Sequence, residues 1–439
     1  MPCVSSLMSR GLWGTLRSST PPITMPAWAC MVSGRDPGEL GIYGFRNRIP
    51  GTRALRMATA DDVRVPRVWD VLGAAGRRSS VLYVPPTWPP RPISGELVGC
   101  MLTPGPEAPH THPPELAAEL SRFGPHTPDV VRVGADPGAL VEALIEASSQ
   151  HFDVAEHLLT TRKPDFAMMV EMGTDRLHHA MWPALDPSDP RHDPRSPLVR
   201  DARDVYAHID ARIGRLLERL GPDTTVMVVS DHGARPLRGG MYVNEWLRQH
   251  GWLVLRTEPR APCALEHADV DWGRTRAWAE GGYHARITLN VKGLFPDGCI
   301  EPASLEAETL ALAEALAAAD DGTSRPLGSR VVRPRNAYRA LEGTPPDLLF
   351  FPGDLDFRAL GEVGTGTVFV GPDEAGASRG NDGCNHDWEG LFVLAGPDVP
   401  KGGSRRGAGL HDVGVTALRL SGVPVPDGWL GQDLRELGA

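Results

Sequence analysis

Asp231 and His232 stand one residue, Ser230, beyond Val226–Val229, a short apolar run that reads as a fully buried strand. In an open parallel sheet, ligands gather beyond the carboxyl ends of the strands, where this carboxylate and imidazole would stand. Taken alone, Asp-His-Gly is also an ordinary turn or helix cap. A second pair, Asp175 and His179, has the D-x-x-x-H spacing that places both side chains on one face of a helix, able to grip one ion. His386, beside a further apolar run, offers a third position. Carboxylate with imidazole suits zinc first, with manganese or iron as alternatives.

Thr24 adds a hydroxyl. Pro26 followed by Ala27, Trp28, Ala29, Met31 and Val32 marks a helix start, because the missing N–H of proline costs nothing in a first turn. Thr24 at or just before the N-cap faces free backbone N–H groups, a good place for an anion, though a plain capping threonine would look the same. A threonine hydroxyl is a poor nucleophile until its proton is removed, and metal coordination can do that. Two metal ions roughly 3.5–4 Å apart can clamp the attacking and leaving oxygens of a phosphoryl group.

The elements that must position these groups follow from periodicity. Apolar residues repeat at helical spacing through 138–161, residues 165–172 read as a buried strand, and Ala202, Val205, Ile209, Ile213, Leu216 and Leu220 mark a helix leading into Val226. Strand, helix and strand at this spacing predict an α/β fold, a mostly parallel central sheet sandwiched by helices. A helix near 4–10 is followed by little structure up to residue 22. Residues 68–72 suggest a helix and 79–85 a strand. From 85 to 128 the chain is dense in proline and glycine, an ordered surface excursion that could flank a pocket, with His110 and His112 as solvent-exposed loop residues. Residues 236–380 mix short helices and strands and form a large inserted cap that shapes the substrate pocket. The core is then 1–235 with 381–439. Arg46 and Arg48 are expected on a solvated surface, and Trp28 and Trp182 are expected to pack against the core.

At 439 residues the chain can bury one large core with an insertion. A net charge of −10 argues against a nucleic-acid or membrane-surface binder. The six cysteines show no C-x-x-C spacing, which fits a reducing compartment, and no basic segment followed by an apolar stretch opens the chain, so the cytoplasm is the expected location. No apolar run reaches the ~18 residues of a membrane span. Neither G-x-x-x-x-G-K-S/T nor G-x-S-x-G occurs, which leaves P-loop and serine-hydrolase chemistry unsupported. The sequence does not indicate an oligomeric state.

The segments Ile23-Thr-Met-Pro-Ala-Trp, Gly173-Thr-Asp-Arg-Leu-His-His, Val229-Ser-Asp-His-Gly and Asn385-His-Asp-Trp-Glu-Gly-Leu resemble, in this order, motifs of the alkaline phosphatase superfamily. The branch they resemble is the type I phosphodiesterase/nucleotide pyrophosphatase group with its bacterial phosphohydrolase and phosphomutase members. The resemblance implies an alkaline phosphatase-like core and two divalent ions, zinc by preference. It makes Thr24 the nucleophile of a phospho-enzyme intermediate. Asp175, His179 and His386 would hold one ion, and Asp231 and His232 the other. The expected substrate is a small-molecule phosphate mono- or diester. A phosphomutase using the same intermediate, or a catalytically impaired binding protein, are the alternatives. His178 matches no ligand position. One departure stands out: the family sheet opens with a strand ending in a metal-binding Asp, and residues 1–23 contain neither Asp nor Glu. Either the strand precedes Met1 of this sequence, or the site is incomplete; in the second case the ion at Asp231 and His232 would lack a carboxylate and neighbouring strand edges would be exposed.

Overall fold

The computed structural model describes residues 1–130, 136–377 and 382–438. They form two compact units, Met1–Leu40 with Ala58–Gly233 and Trp388–Ala439, and Gly41–Met57 with Ala234–Asp387. The expected boundary at residues 380 and 381 lies outside the described residues.

The first unit opens with α1 (Pro2–Arg10), β1 (Leu12–Arg17) and α2 (Thr24–Ser33). Next come α3 (Val68–Ala74), β2 (Ser79–Leu82), β3 (Gly95–Val98), β4 (Thr111–His112) and the long α4 (Pro137–Arg162). Then follow β5 (Phe166–Met169), α5 (Gly173–Leu185), α6 (Pro197–Leu220) and β6 (Val226–Val229). The chain returns to this unit as β7 (Glu389–Ala395), β8 (Gly403–Gly409) and α7 (Leu410–Leu420). The unit is mixed α/β, as expected, with strands in the orders β8-β1-β7-β6 and β4-β3-β2-β5. Parallel ladders join β1 to β8 and β2 to both β3 and β5. Antiparallel ladders join β7 to β1 and β6, and β3 to β4.

β1 occupies a stretch where the sequence predicts little structure. It alternates as a half-covered strand should, with Leu12 and Leu16 fully buried and Trp13 exposed. Its partners are β7 and β8, from the far end of the chain, so no local pattern announces it.

β5 and β6 end their respective sheets, and among the described residues no strand pairs with either free edge. The two strands nevertheless share one hydrophobic core. Phe166 of β5 and Met227 of β6 pack against the same cluster of Val68, Leu72 and Leu418. Where β2, paired on both sides, is buried at every position, all of β6 is partly exposed and Ala167 of β5 is exposed. The sequence predicts fully buried strands here. The difference follows from pairing on one edge only.

Helices α4, α5 and α6 pack on one another through Leu144, Phe152, Leu177, Val205 and Ile209. All ten residues of α2 are buried, and the helix closes at Gly34, whose φ of 61° lies in the left-handed region. A Cβ there would meet the Trp429 ring at 2.5 Å, so the position demands glycine twice over. Trp28 is buried in the main core, as expected.

The second unit centres on an antiparallel sheet of Ala277–Glu280, Ala285–Leu289, Leu348–Phe351 and Arg330–Val332, packed by Trp246, Leu312 and Phe350. The segment Gly41–Met57 belongs to it, tied by Tyr43 Oη donating to the Glu342 carbonyl at 2.8 Å. Arg48 is buried, ion-paired with Glu280 and placed 5.0 Å from the Trp278 ring, so it is a packed cation and not the solvated one its sequence context suggests. No helix of the described residues is long and apolar enough to cross a membrane.

Candidate functional site

Four of the five expected ligands, with Thr24, lie in the first unit at the ends of its elements. Asp175 and His179 occupy the first turns of α5, as the i,i+4 spacing predicts, with Asp175 Oδ1 3.4 Å from His179 Nε2. Asp231 and His232 follow the last residue of β6, with His232 Nε2 3.3 Å from Asp231 Oδ2. Thr24 is the first residue of α2, preceded by Ile23 at the N-cap, and no side chain caps that helix. Its hydroxyl is buried and lies 3.5 Å from His232 Nε2. One imidazole nitrogen therefore stands between a hydroxyl and a carboxylate, beside the open N-terminus of a buried helix.

The electrostatics of this group are those of buried, uncompensated negative charge. Asp231 Oδ2 is buried and, among the described residues, no hydrogen-bond donor is aimed at it. Burial raises the Asp231 pKa; the charge of His232 works against that rise, and the nearby charge of Asp175 adds a smaller part to it. A buried carboxylate left in this state is costly unless a positive charge balances it. An acidic and imidazole donor set with an orphaned carboxylate oxygen fits a divalent ion well.

Three side chains that the sequence reading passed over hold these groups in place. Ser18, just after β1, donates its hydroxyl to the Asp231 carbonyl at 2.6 Å, so the strand that was missed fixes the ligand that was found. Glu171 accepts from the Gly173 amide at 2.9 Å, at the start of α5. Its other oxygen lies 3.1 Å from Nδ1 of the buried His151. A Glu two residues before a helix-opening glycine is the only trace of this in the sequence.

His178 points away, to the Tyr206 hydroxyl on α6, and burial pulls its pKa down to about 4. Trp182 sits edge-on to that ring. His110, expected as a solvent-exposed loop residue, stacks on His126 at 4.2 Å, because the proline-rich excursion folds back over β2. His386 lies in the second unit, on the strand Cys384–Asp387. It is buried, its amide donates to Asn385 Oδ1 at 2.9 Å, and its ring stacks on Tyr283 at 3.9 Å.

Residues 1–334 match the family model for type I phosphodiesterase/nucleotide pyrophosphatase. No curated protein matches the chain. Among solved structures, phosphonoacetate hydrolase from Sinorhizobium meliloti in complex with phosphonoacetate is similar, with a TM-score of 0.59 at 18% identity over 96% of this chain and 90% of that one. Human ectonucleotide pyrophosphatase/phosphodiesterase 5 gives a TM-score of 0.54 at 14% identity, over 100% of this chain and 94% of that one. An inactive threonine-to-alanine variant of the murine protein, in complex with AMP, gives 0.54 at 12% identity over 97% and 91%. At these identities the structural likenesses speak for an alkaline phosphatase-like fold, and the family rests on the sequence match. The chain belongs to the type I phosphodiesterase/nucleotide pyrophosphatase family and is a phosphoric ester hydrolase.

Proposed function

We propose that the protein is a metal-dependent hydrolase of small-molecule phosphate esters, mono- or diesters, that works through a threonine phospho-enzyme. The observation that carries this is the placement of Thr24 Oγ1 at 3.5 Å and Asp231 Oδ2 at 3.3 Å from the same nitrogen, His232 Nε2. Asp231, His232 and the Thr24 hydroxyl would hold one ion, and Asp175 and His179 another. His386 joins the second set on the family resemblance alone. Bound divalent ions would supply a lower hydroxyl pKa and neutralisation of phosphoryl charge.

The remaining work falls to the chain. The open first turn of α2 directs the Thr24 and Met25 amides at the oxygens of an incoming phosphoryl group, since residue 26 is proline and carries no N–H. The Thr24 hydroxyl gives up its proton as Oγ1 bonds phosphorus and the bond from phosphorus to the leaving oxygen breaks, and that proton, carried through solvent, leaves on the departing alkoxide as the alcohol. Water then cleaves the phosphothreonine, restoring the hydroxyl and releasing the phosphoryl product. The inactivity of the murine threonine-to-alanine variant supports a threonine in this role. All six cysteines are free thiols, which supports a cytoplasmic location.

Purified protein supplied with zinc or manganese should release nitrophenol from a nitrophenyl phosphate ester or diester. Thr24→Ala should lower that rate by at least about 10³-fold. Equal rates in the two proteins would sink the nucleophile assignment.

A further inference from the structure

The first turn of α5, which carries Asp175 and His179, is held from outside the helix. Met172 at the N-cap provides no side-chain cap. Instead the Glu171 carboxylate reaches forward to the Gly173 amide at 2.9 Å, placing a negative charge at the positive end of the helix dipole. A Cβ at Gly173 would approach Glu171 Oε1 to 2.9 Å, so glycine permits this close turn.

What holds Glu171 is His151, almost completely buried on α4. Its Nδ1 lies 3.1 Å from Glu171 Oε2 and its Nε2 lies 2.7 Å from the Thr127 carbonyl oxygen. Both partners accept when Glu171 is ionised, and in that state both ring nitrogens donate and the ring carries a positive charge. Burial opposes that charge, but the hydrogen bond and charge of Glu171 outweigh it and raise the His151 pKa. A second tie acts on the same turn. Arg176 Nε donates to Asp129 at 2.8 Å, with a further bond from Nη2, two residues beyond the carbonyl that His151 holds. Thr127 and Asp129, where the proline-rich excursion ends, are thus fastened to α4 by one bond and to α5 by two.

We propose that Glu171, oriented by His151, is a positioning residue that fixes the first turn of α5 so that Asp175 and His179 present their ligand atoms together. Neither group touches the reacting atoms. The pair acts through the Gly173 amide, as outer partners of ligands do in metal sites generally. This rests on the reading of Asp175 and His179 as ligands, and the test separates the two.

Metal affinity is measured by competitive titration of zinc, and the cobalt-substituted protein is compared by visible absorption. Glu171→Ala should weaken binding at the Asp175 and His179 ion by roughly 10–100-fold and alter the cobalt spectrum. Glu171→Gln, which can still accept from the Gly173 amide, should recover most of that loss. His151→Ala combined with Glu171→Ala should cost little more than Glu171→Ala alone, since each acts through the other. Unchanged affinity and spectrum in Glu171→Ala, with Asp175→Ala losing the ion, would overturn the positioning role and leave the ligand assignment standing. An ion retained by Asp175→Ala would overturn the ligand assignment itself. If Glu171→Ala fails to fold, His151→Asn decides: a spectrum like that of the unsubstituted protein overturns the proposal, and a shifted one supports it.

Discussion

The two ligand pairs of the first unit are built in opposite ways. Asp175 and His179 lie on one helix, and the 3.4 Å between their ligand atoms follows from an i,i+4 spacing. Their turn is braced by Glu171, His151 and the Arg176–Asp129 pair. Asp231 and His232 are consecutive residues at the end of β6, a strand paired on one side only. They depend on Ser18 and Thr24, more than 200 residues away, and Asp231 keeps a buried oxygen at which no donor among the described residues is aimed. A pair made by local geometry needs only its own turn held in place. A pair made at a strand end is only as good as the sheet around it.

This contrast can be broken or sharpened by experiment. The largest effect expected is on occupancy. Zinc should titrate in two steps, the tighter at Asp175 and His179, whose turn is braced, with the ion at Asp231 and His232, at the end of a strand paired on one side, at least about tenfold weaker. Asp175→Ala should remove the first step and Asp231→Ala the second. A single step of two equal ions would erase the distinction.

Acid offers a second lever, on the braced pair. His126 packs against Tyr83, His110 and the region of His151, and burial, with His110 and His151, lowers its pKa to about 3. Its folded pKa lies below the unfolded value of about 6.5, so at pH 7 both states are neutral. As pH falls below that value the unfolded chain takes up the proton first, and folded stability is lost. Between about pH 6.5 and 5 this amounts to about 2 kcal/mol, an upper figure because the ring is not fully enclosed. His126→Phe should flatten that part of the stability profile. Parallel profiles for the two proteins would remove His126 from the account.

The smallest effect expected is at Ser18. Ser18→Ala removes the bond to the Asp231 carbonyl and should cost about 1 kcal/mol in unfolding free energy. Zinc affinity should fall at the Asp231 site alone. Equal losses at both sites would show that the two pairs are not independently supported.

Legibility in the sequence follows the same division. Val226–Val229 is found at its predicted place, because a short apolar run bounded by turn residues has few other readings. α4 and α6 were clear from their apolar stripes. β1 was not, since Gly14 interrupts a short alternation and both partner strands come from the end of the chain. Glu171 reads as one more strand residue until the turn into α5 brings its carboxylate back onto Gly173. Nor does the sequence show that Gly41–Met57 folds with the second unit, because the contacts responsible, such as Tyr43 with Glu342, span some 300 residues.

By itself the sequence determined the residue types able to hold a metal and a phosphoryl group and the helical spacing that joins Asp175 to His179. Those follow from chemical identity and from periodicities of a few residues. Only the tertiary structure decided that Thr24 meets His232, that Ser18 secures Asp231, that His151 stands behind Glu171, and that β5 and β6 are left with open edges. Each of these depends on which distant strands and helices pack together, and that is set by burial of the whole apolar surface and not by any local run of residues.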